Sequence, residues 1–267
     1  VTATVDHPVD QGSAGRGQAT TPVPAPTRSA RPAPGPAATP GRRPRRGLFA
    51  SSNGKKAVMA VTGAVLVLFL VGHMLGNLKI FLGAEEFNDY AEWLRTVGAP
   101  AVPGRTLLTI TEIVLVVSVA LHMWSAISLA RRAVRARPVK YAARRRSQAS
   151  GYATRTMRYG GVIIVLFVIW HLLDMTFGVV NPEGGDATPY ARMVAGFQPS
   201  RWWITLFYLV ALVMVGLHLR HGLWSAFQTL GLARRRRALK AGAAVVSAVL
   251  VLGFVAAPVA IMIGVVK

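Results

Sequence analysis

Four histidines, His73, His122, His171 and His218, recur along the chain at intervals of 49, 49 and 47 residues. Each is set inside a stretch made almost wholly of Leu, Val, Ile, Ala and Phe. Ionisable side chains are costly in an apolar span, so they generally face a bundle interior and carry function. A neutral imidazole offers one lone pair to a metal and one N–H to a hydrogen-bond acceptor. The same residues could therefore ligate an ion or simply hydrogen-bond a neighbouring helix. The chain of 267 residues has no cysteine, which excludes thiolate-ligated zinc, iron–sulfur clusters held by this chain, disulfides and cysteine nucleophiles.

The elements that must position these histidines are five apolar segments, expected near residues 56–82, 106–130, 158–180, 202–231 and 241–266. Each exceeds the roughly 20 helical residues needed to cross a hydrocarbon core of about 30 Å. Only internally satisfied backbone can cross lipid, which makes them α-helices. The expected fold is thus all-α, a polytopic membrane protein with a five-helix domain over 47–267. Gly63, Gly72 and Gly76 in the first helix, and Gly160 and Gly161 in the third, are expected to admit a close neighbour or a flat cofactor. Pro258 is expected to loosen the fifth helix near its end. Residues 1–46 hold nine of the sixteen prolines and almost no large apolar residue, and read as a disordered cytoplasmic tail. This stretch lacks the apolar centre of a signal peptide, and His7 within it reads as a solvated residue.

The net charge of +21 is clustered: 21 of the 31 Lys and Arg fall in Arg42–Lys56, Arg131–Arg158 and Arg234–Lys240, each beside an apolar segment. That is a membrane-topology signal and argues against nucleic-acid binding. Loops 83–105 and 181–201 carry Glu85, Glu86, Asp89, Glu92, Glu183 and Asp186 instead. The positive-inside bias then puts the N-terminus in the cytoplasm and the C-terminus outside. Trp93, Trp202 and Trp203 fall where an interfacial aromatic belt belongs, and Ala84–Arg95 reads as a short amphipathic helix on the outer surface.

Counting from the charged helix ends at 1.5 Å per residue gives depths. His73 lies about 25 Å and His171 about 20 Å from the cytoplasmic edge, whereas His122 and His218 lie about 25 Å from the outer edge. The four therefore form two pairs at two depths. Facing neutral imidazoles are the arrangement that ligates a haem iron from both sides, and bundle cores house such cofactors. Interhelical hydrogen bonding without a cofactor is the competing reading. Zinc is weaker, because the orienting carboxylates are missing. His221 shares nearly the same helix face as His218, and from spacing alone either could be the ligand. Beside Arg220, His221 could also meet a propionate or a quinone carbonyl.

Several ordered motifs carry a resemblance. They are Ser51-Ser52-Asn53-Gly54-Lys55-Lys56 leading through Thr62-Gly63 to His73-Met74-Leu75-Gly76-Asn77; then Tyr152-Ala153-Thr154-Arg155 with Arg158; and His218-Leu219-Arg220-His221-Gly222-Leu223-Trp224-Ser225. Over about residues 48–266 the chain resembles the five-helix cytochrome b membrane subunit of succinate:menaquinone oxidoreductases (succinate dehydrogenase), the single-chain two-haem type of Gram-positive bacteria. The resemblance implies two haems b, with His73 and His171 as axial ligands of the distal haem and His122 and His218 of the proximal one. The family's Gly-Leu-Trp signature four residues after the last ligand favours His218 over His221. Also implied are flavoprotein and iron–sulfur partner subunits, menaquinone as electron acceptor, and a place in the cytoplasmic membrane. A higher oligomer of the complex stays open.

On that reading Lys56, Arg155 and Arg158 are candidates for haem propionates, with ordinary topology charge as the alternative. Quinone reduction consumes protons, and Glu112 and Asp174 are the carboxylates placed to supply them. Glu112 could equally pair with a helix-end Arg or Ser, and Asp174 could accept from an imidazole N–H. The same subunit of a quinol:fumarate reductase, or a haem-free membrane anchor or transporter, are the alternatives.

Overall fold

The computed structural model describes residue 47 and residues 49–136, 151–232 and 235–267, apart from the side chains of 151–156. The expectation of a disordered tail over 1–46 lies outside the described residues. Among the described residues every regular element is helical, and five helices are long and apolar enough to cross a membrane. These are spanning units within Ser52–Leu82, Thr106–Arg135, Met157–Thr176, Pro199–Thr229 and Arg236–Met262.

Helix α1 covers Ser52–Leu78 and tightens into a 3-10 turn at Lys79–Leu82. It begins four residues before the expected start because the Ser51 hydroxyl accepts from the Gly54 N–H at 2.9 Å, capping the first turn. After Gly83, whose φ of +102° suits glycine, the short helix α2 runs over Ala84–Thr96. The expected amphipathic segment is therefore helical, with Phe87 buried and Glu85 and Glu86 exposed.

Helix α3, Thr106–Arg135, extends five residues beyond its expected end. Helix α4, Gly151–His171, starts seven residues earlier than expected and passes into a π-helical turn at Leu172–Thr176. The expected end at 180 is wrong, because the chain reverses at Gly178, where φ is +68°. Helix α5, Pro189–Phe197, was not foreseen within the loop 181–201. The Thr188 hydroxyl caps it by accepting from the Ala191 N–H at 3.3 Å, and Pro189 occupies its first turn without costing a helical hydrogen bond. Helix α6 is Trp202–Thr229 and α7 is Arg236–Met262, the latter five residues early at its start and four short of the expected end.

Helix α1 packs against α3 and α7, α4 against α6, and α6 against α7. At the α6–α7 contact Ser247 donates to the Gly216 carbonyl at 2.5 Å, and a Cβ on Gly216 would stand 2.7 Å from Val251. The best-buried apolar cluster lies at the acidic-loop end. There α2 and α5 bring Phe87, Met193 and Phe197 against Ile80, Ile204, Tyr208 and Ile261. Elsewhere large apolar side chains stand bare, including Leu68 (73% exposed), Val116 (69%) and Leu252 (69%). Exposed apolar surface on this scale suits lipid rather than water.

The basic-loop end is stitched by Arg132, which donates to the Ala50 carbonyl at 2.8 Å and the Ser52 hydroxyl at 3.1 Å. Lys55 is buried with its ammonium 4.7 Å from the Trp124 ring, while its neighbour Lys56 is exposed. Identical neighbours in sequence thus serve different ends, one packing helix to helix and one facing outward.

Candidate functional site

The four histidines meet as two pairs. The His73 and His171 rings stand 5.8 Å apart between centroids, and those of His122 and His218 stand 6.3 Å apart. The helices carrying each pair, α1 with α4 and α3 with α6, are not among the directly packed neighbours. The imidazoles therefore reach toward each other across a gap between helices. Two imidazoles sharing one ion need about 2 Å per metal–nitrogen bond and roughly 1 Å more to each ring centroid, or about 6 Å in all. Both observed separations match that span.

Aromatic rings hold the first pair: Phe69 stacks on His73 at 5.2 Å, Phe254 lies 5.7 Å from it, and Phe167 lies 5.8 Å from His171. In the second pair, Nδ1 of His122 lies 3.3 Å from the Thr62 hydroxyl. That hydroxyl donates its single proton back to the Val58 carbonyl at 2.8 Å, which leaves its oxygen to accept from His122. Gly63 allows the approach, since a Cβ there would sit 3.3 Å from Cε1 of His122. Nδ1 of His218 is buried with no protein partner, so this imidazole retains unmet bonding capacity in an apolar setting.

Beyond His171 the π-helical turn carries Asp174, which is fully buried. Its Oδ2 accepts from the Tyr208 hydroxyl at 3.2 Å and its Oδ1 from Nδ2 of Asn181 at 3.1 Å. The Arg201 guanidinium lies 3.7 Å from the same Oδ1. The Tyr208 oxygen is also 3.5 Å from Nδ1 of His171. Asp174 thus stands toward His171 through an intervening phenol.

The remaining sequence candidates scatter. Glu112 is half exposed and pairs with Arg105 at 3.2 Å, as the helix-end reading anticipated. The ring facing His122 is that of His218, with His221 half-buried one turn on. Arg158 is exposed and lines a shallow groove of about 340 Å³ with Ala130, Arg131, Val134 and Arg135. The Arg155 side chain lies outside the described residues. Of the glycines expected to admit a neighbour, Gly63 backs onto His122 and Gly76 onto Tyr90, while Cβ atoms on Gly72 and Gly161 would meet nothing within 4 Å.

Thr62, Tyr208, Asn181 and Arg201 were missed in the sequence. A hydroxyl inside an apolar helix was the only flag for the first two, and their partners lie 60 and 37 residues away.

Among the described residues no group of three or more His, Cys, Asp or Glu gathers as a metal site. Two nitrogens per site are too few for a closed four-coordinate zinc centre. They are the number needed by an iron whose other four positions a macrocycle fills. The donor set and the centroid spacing of each pair fit bis-histidine haem.

Residues 133–257 match the family described as succinate dehydrogenase/fumarate reductase transmembrane subunit. The matched stretch runs from the end of α3 into α7, and includes His171 and His218 but not His73 or His122. The match supports that family and, with the five apolar helices, a multi-pass membrane protein. No curated protein and no solved structure gives a significant match.

Proposed function

We propose that the chain is the membrane subunit of a succinate dehydrogenase, and that it holds two haems b on the pairs His73–His171 and His122–His218. The observation that carries this reading is the meeting of four imidazoles from four different helices as two pairs spaced for a shared ion. The family match over 133–257 supports the assignment to a succinate dehydrogenase or fumarate reductase complex. When bound, haem supplies one-electron carriage between the iron–sulfur partner subunit and menaquinone.

The chain's own residues supply the rest. The helices fix the imidazoles at two depths, Thr62 orients His122, and the aromatic rings of Phe69, Phe167 and Phe254 keep water from His73 and His171. The chain lies in the cytoplasmic membrane with its basic loops inward, where they meet the iron–sulfur subunit that delivers electrons from the flavoprotein. Glu112, paired with Arg105 near the outer end of α3, is the carboxylate we assign to passing protons to a quinone under reduction. Asp174, enclosed by donors, is better placed to hold a neighbour than to shuttle protons. Lys56 and Arg158, both exposed at the basic end, remain the propionate candidates with side chains on view.

Pyridine haemochrome quantitation of the purified complex tests the reading, with two haems per chain expected. One haem would make one histidine pair structural, and none would leave a haem-free anchor. Fumarate reduction on the same framework is separated by assaying the complex in both directions with menaquinone and menaquinol analogues.

A further inference from the structure

We infer that Tyr208 and Asp174 are a positioning pair for the haem on His73 and His171: together they hold the His171 proton on Nδ1 and leave Nε2 as the iron ligand. The inference rests on the haem reading above and adds to it a specified ligand atom and the residues that select it.

The hydrogen-bond directions follow from counting protons. The Glu183 backbone N–H can only donate, and its partner at 3.1 Å is Oδ1 of Asn181. The Asn181 amide is thereby oriented with Nδ2 facing the Arg192 carbonyl at 3.0 Å and Oδ1 of Asp174 at 3.1 Å. The Arg201 guanidinium, on the same side of Asp174, can also only donate. Oδ1 thus accepts from both, and as the carboxylate that balances the Arg201 guanidinium Asp174 has no proton of its own, so the single Tyr208 proton goes to its Oδ2 at 3.2 Å. With its proton spent, the phenol oxygen can only accept from Nδ1 of His171, 3.5 Å away. A neutral imidazole with its proton on Nδ1 has its lone pair on Nε2.

Packing prevents the phenol from turning away. Tyr208 is 4% exposed, and Phe197 and Phe167 meet its ring edge-on at 4.8 and 5.0 Å. Asp174 reaches its place from the π-helical turn that ends the third span, a distortion often found at functional positions. The other ligand of the pair has aromatic neighbours, Phe69 and Phe254, rather than a carboxylate relay. The relay therefore acts on one side of one haem. An acceptor on the distal ring nitrogen makes an imidazole a stronger donor to its metal, which favours oxidised iron.

The test uses the assembled complex, as wild type, Tyr208→Phe and Asp174→Asn, with haem counted and both midpoint potentials titrated. Tyr208→Phe keeps the ring and removes the relay. Its expected result is two haems, one midpoint raised by about tenfold in the reduction equilibrium (59 mV for one electron), and the other midpoint unmoved. In Asp174→Asn the amide oxygen must still face Asn181 and Arg201, which puts an NH2 donor against the phenol, so the relay is broken from its far end and the same midpoint should also rise. Two haems with both midpoints unchanged in both variants would overturn the positioning role while leaving the haem reading intact. Loss of the haem from both variants would overturn it as well, since the pair would then be structural. A wild-type complex without haem would sink the underlying reading and this inference with it.

Discussion

Gly63 offers the sharpest probe of the site, because the space beside it is occupied by the His122 ring. A Cβ at this position would lie 3.3 Å from Cε1 and 3.6 Å from Nδ1 of His122. The first distance is tighter than ordinary van der Waals contact, so Gly63→Ala must push the ring by a few tenths of an ångström. Overpacking of this kind costs about 1–3 kcal/mol. The glycine-to-alanine gain in helix backbone entropy, roughly 0.5–1 kcal/mol, offsets part of it. The complex carrying Gly63→Ala should therefore assemble almost normally and hold two haems. Its His122–Thr62 contact is already 3.3 Å and would be strained further, so one haem's low-spin electron paramagnetic resonance signal and midpoint should shift. Gly63→Val adds a Cβ and two methyl groups where the ring stands and should remove that haem alone. The measurements are haem content, redox titration and the resonance spectrum, with the signal of the His73–His171 haem as internal control. Full retention of both haems in Gly63→Val, with unchanged midpoints, would refute the placement of His122 against α1.

Other expectations are simpler. His171→Ala should remove one haem and leave the other's spectrum intact, and His218→Ala should do the converse; pyridine haemochrome counts of one per chain in each check the pairing. Thr62→Val preserves shape and deletes one hydroxyl acceptor, worth about 0.5–1.5 kcal/mol, and redox titration should show a rise confined to the His122–His218 haem. Glu112→Gln should slow reduction of a menaquinone analogue while leaving haem content and reduced-minus-oxidised bands unaltered; an unchanged quinone rate would remove Glu112 from proton delivery. Gly216→Ala brings a Cβ to 2.7 Å from Val251 and should lower the thermal stability of the complex without shifting either midpoint.

Much of this architecture was already fixed by composition and spacing. Five apolar runs in a chain whose charge is confined between them permit only helices across lipid, and the four histidines at near-equal intervals fall one to each of the first four. Helix rise alone sorted them into two depths, and the structure brings together the same pairs. Depth along an axis is a one-dimensional property, so sequence distance measures it. What lies around a ring is not. Rotation of each helix decided that His218 rather than His221 faces His122 and that Lys55 turns inward beside an outward Lys56. The same holds for Thr62 beside His122 and for Tyr208 between His171 and Asp174. The π-helical turn and α5 were invisible to periodicity, since the turn differs from an α-helix only in its hydrogen-bond register and α5 lies in a short loop segment capped by Thr188 and Pro189. The sequence by itself placed four imidazoles in the apolar helices at two depths, two to each depth. Only tertiary packing decided which hydroxyls and carboxylate stand behind them, because those contacts join helices whose relative rotation no single helix encodes.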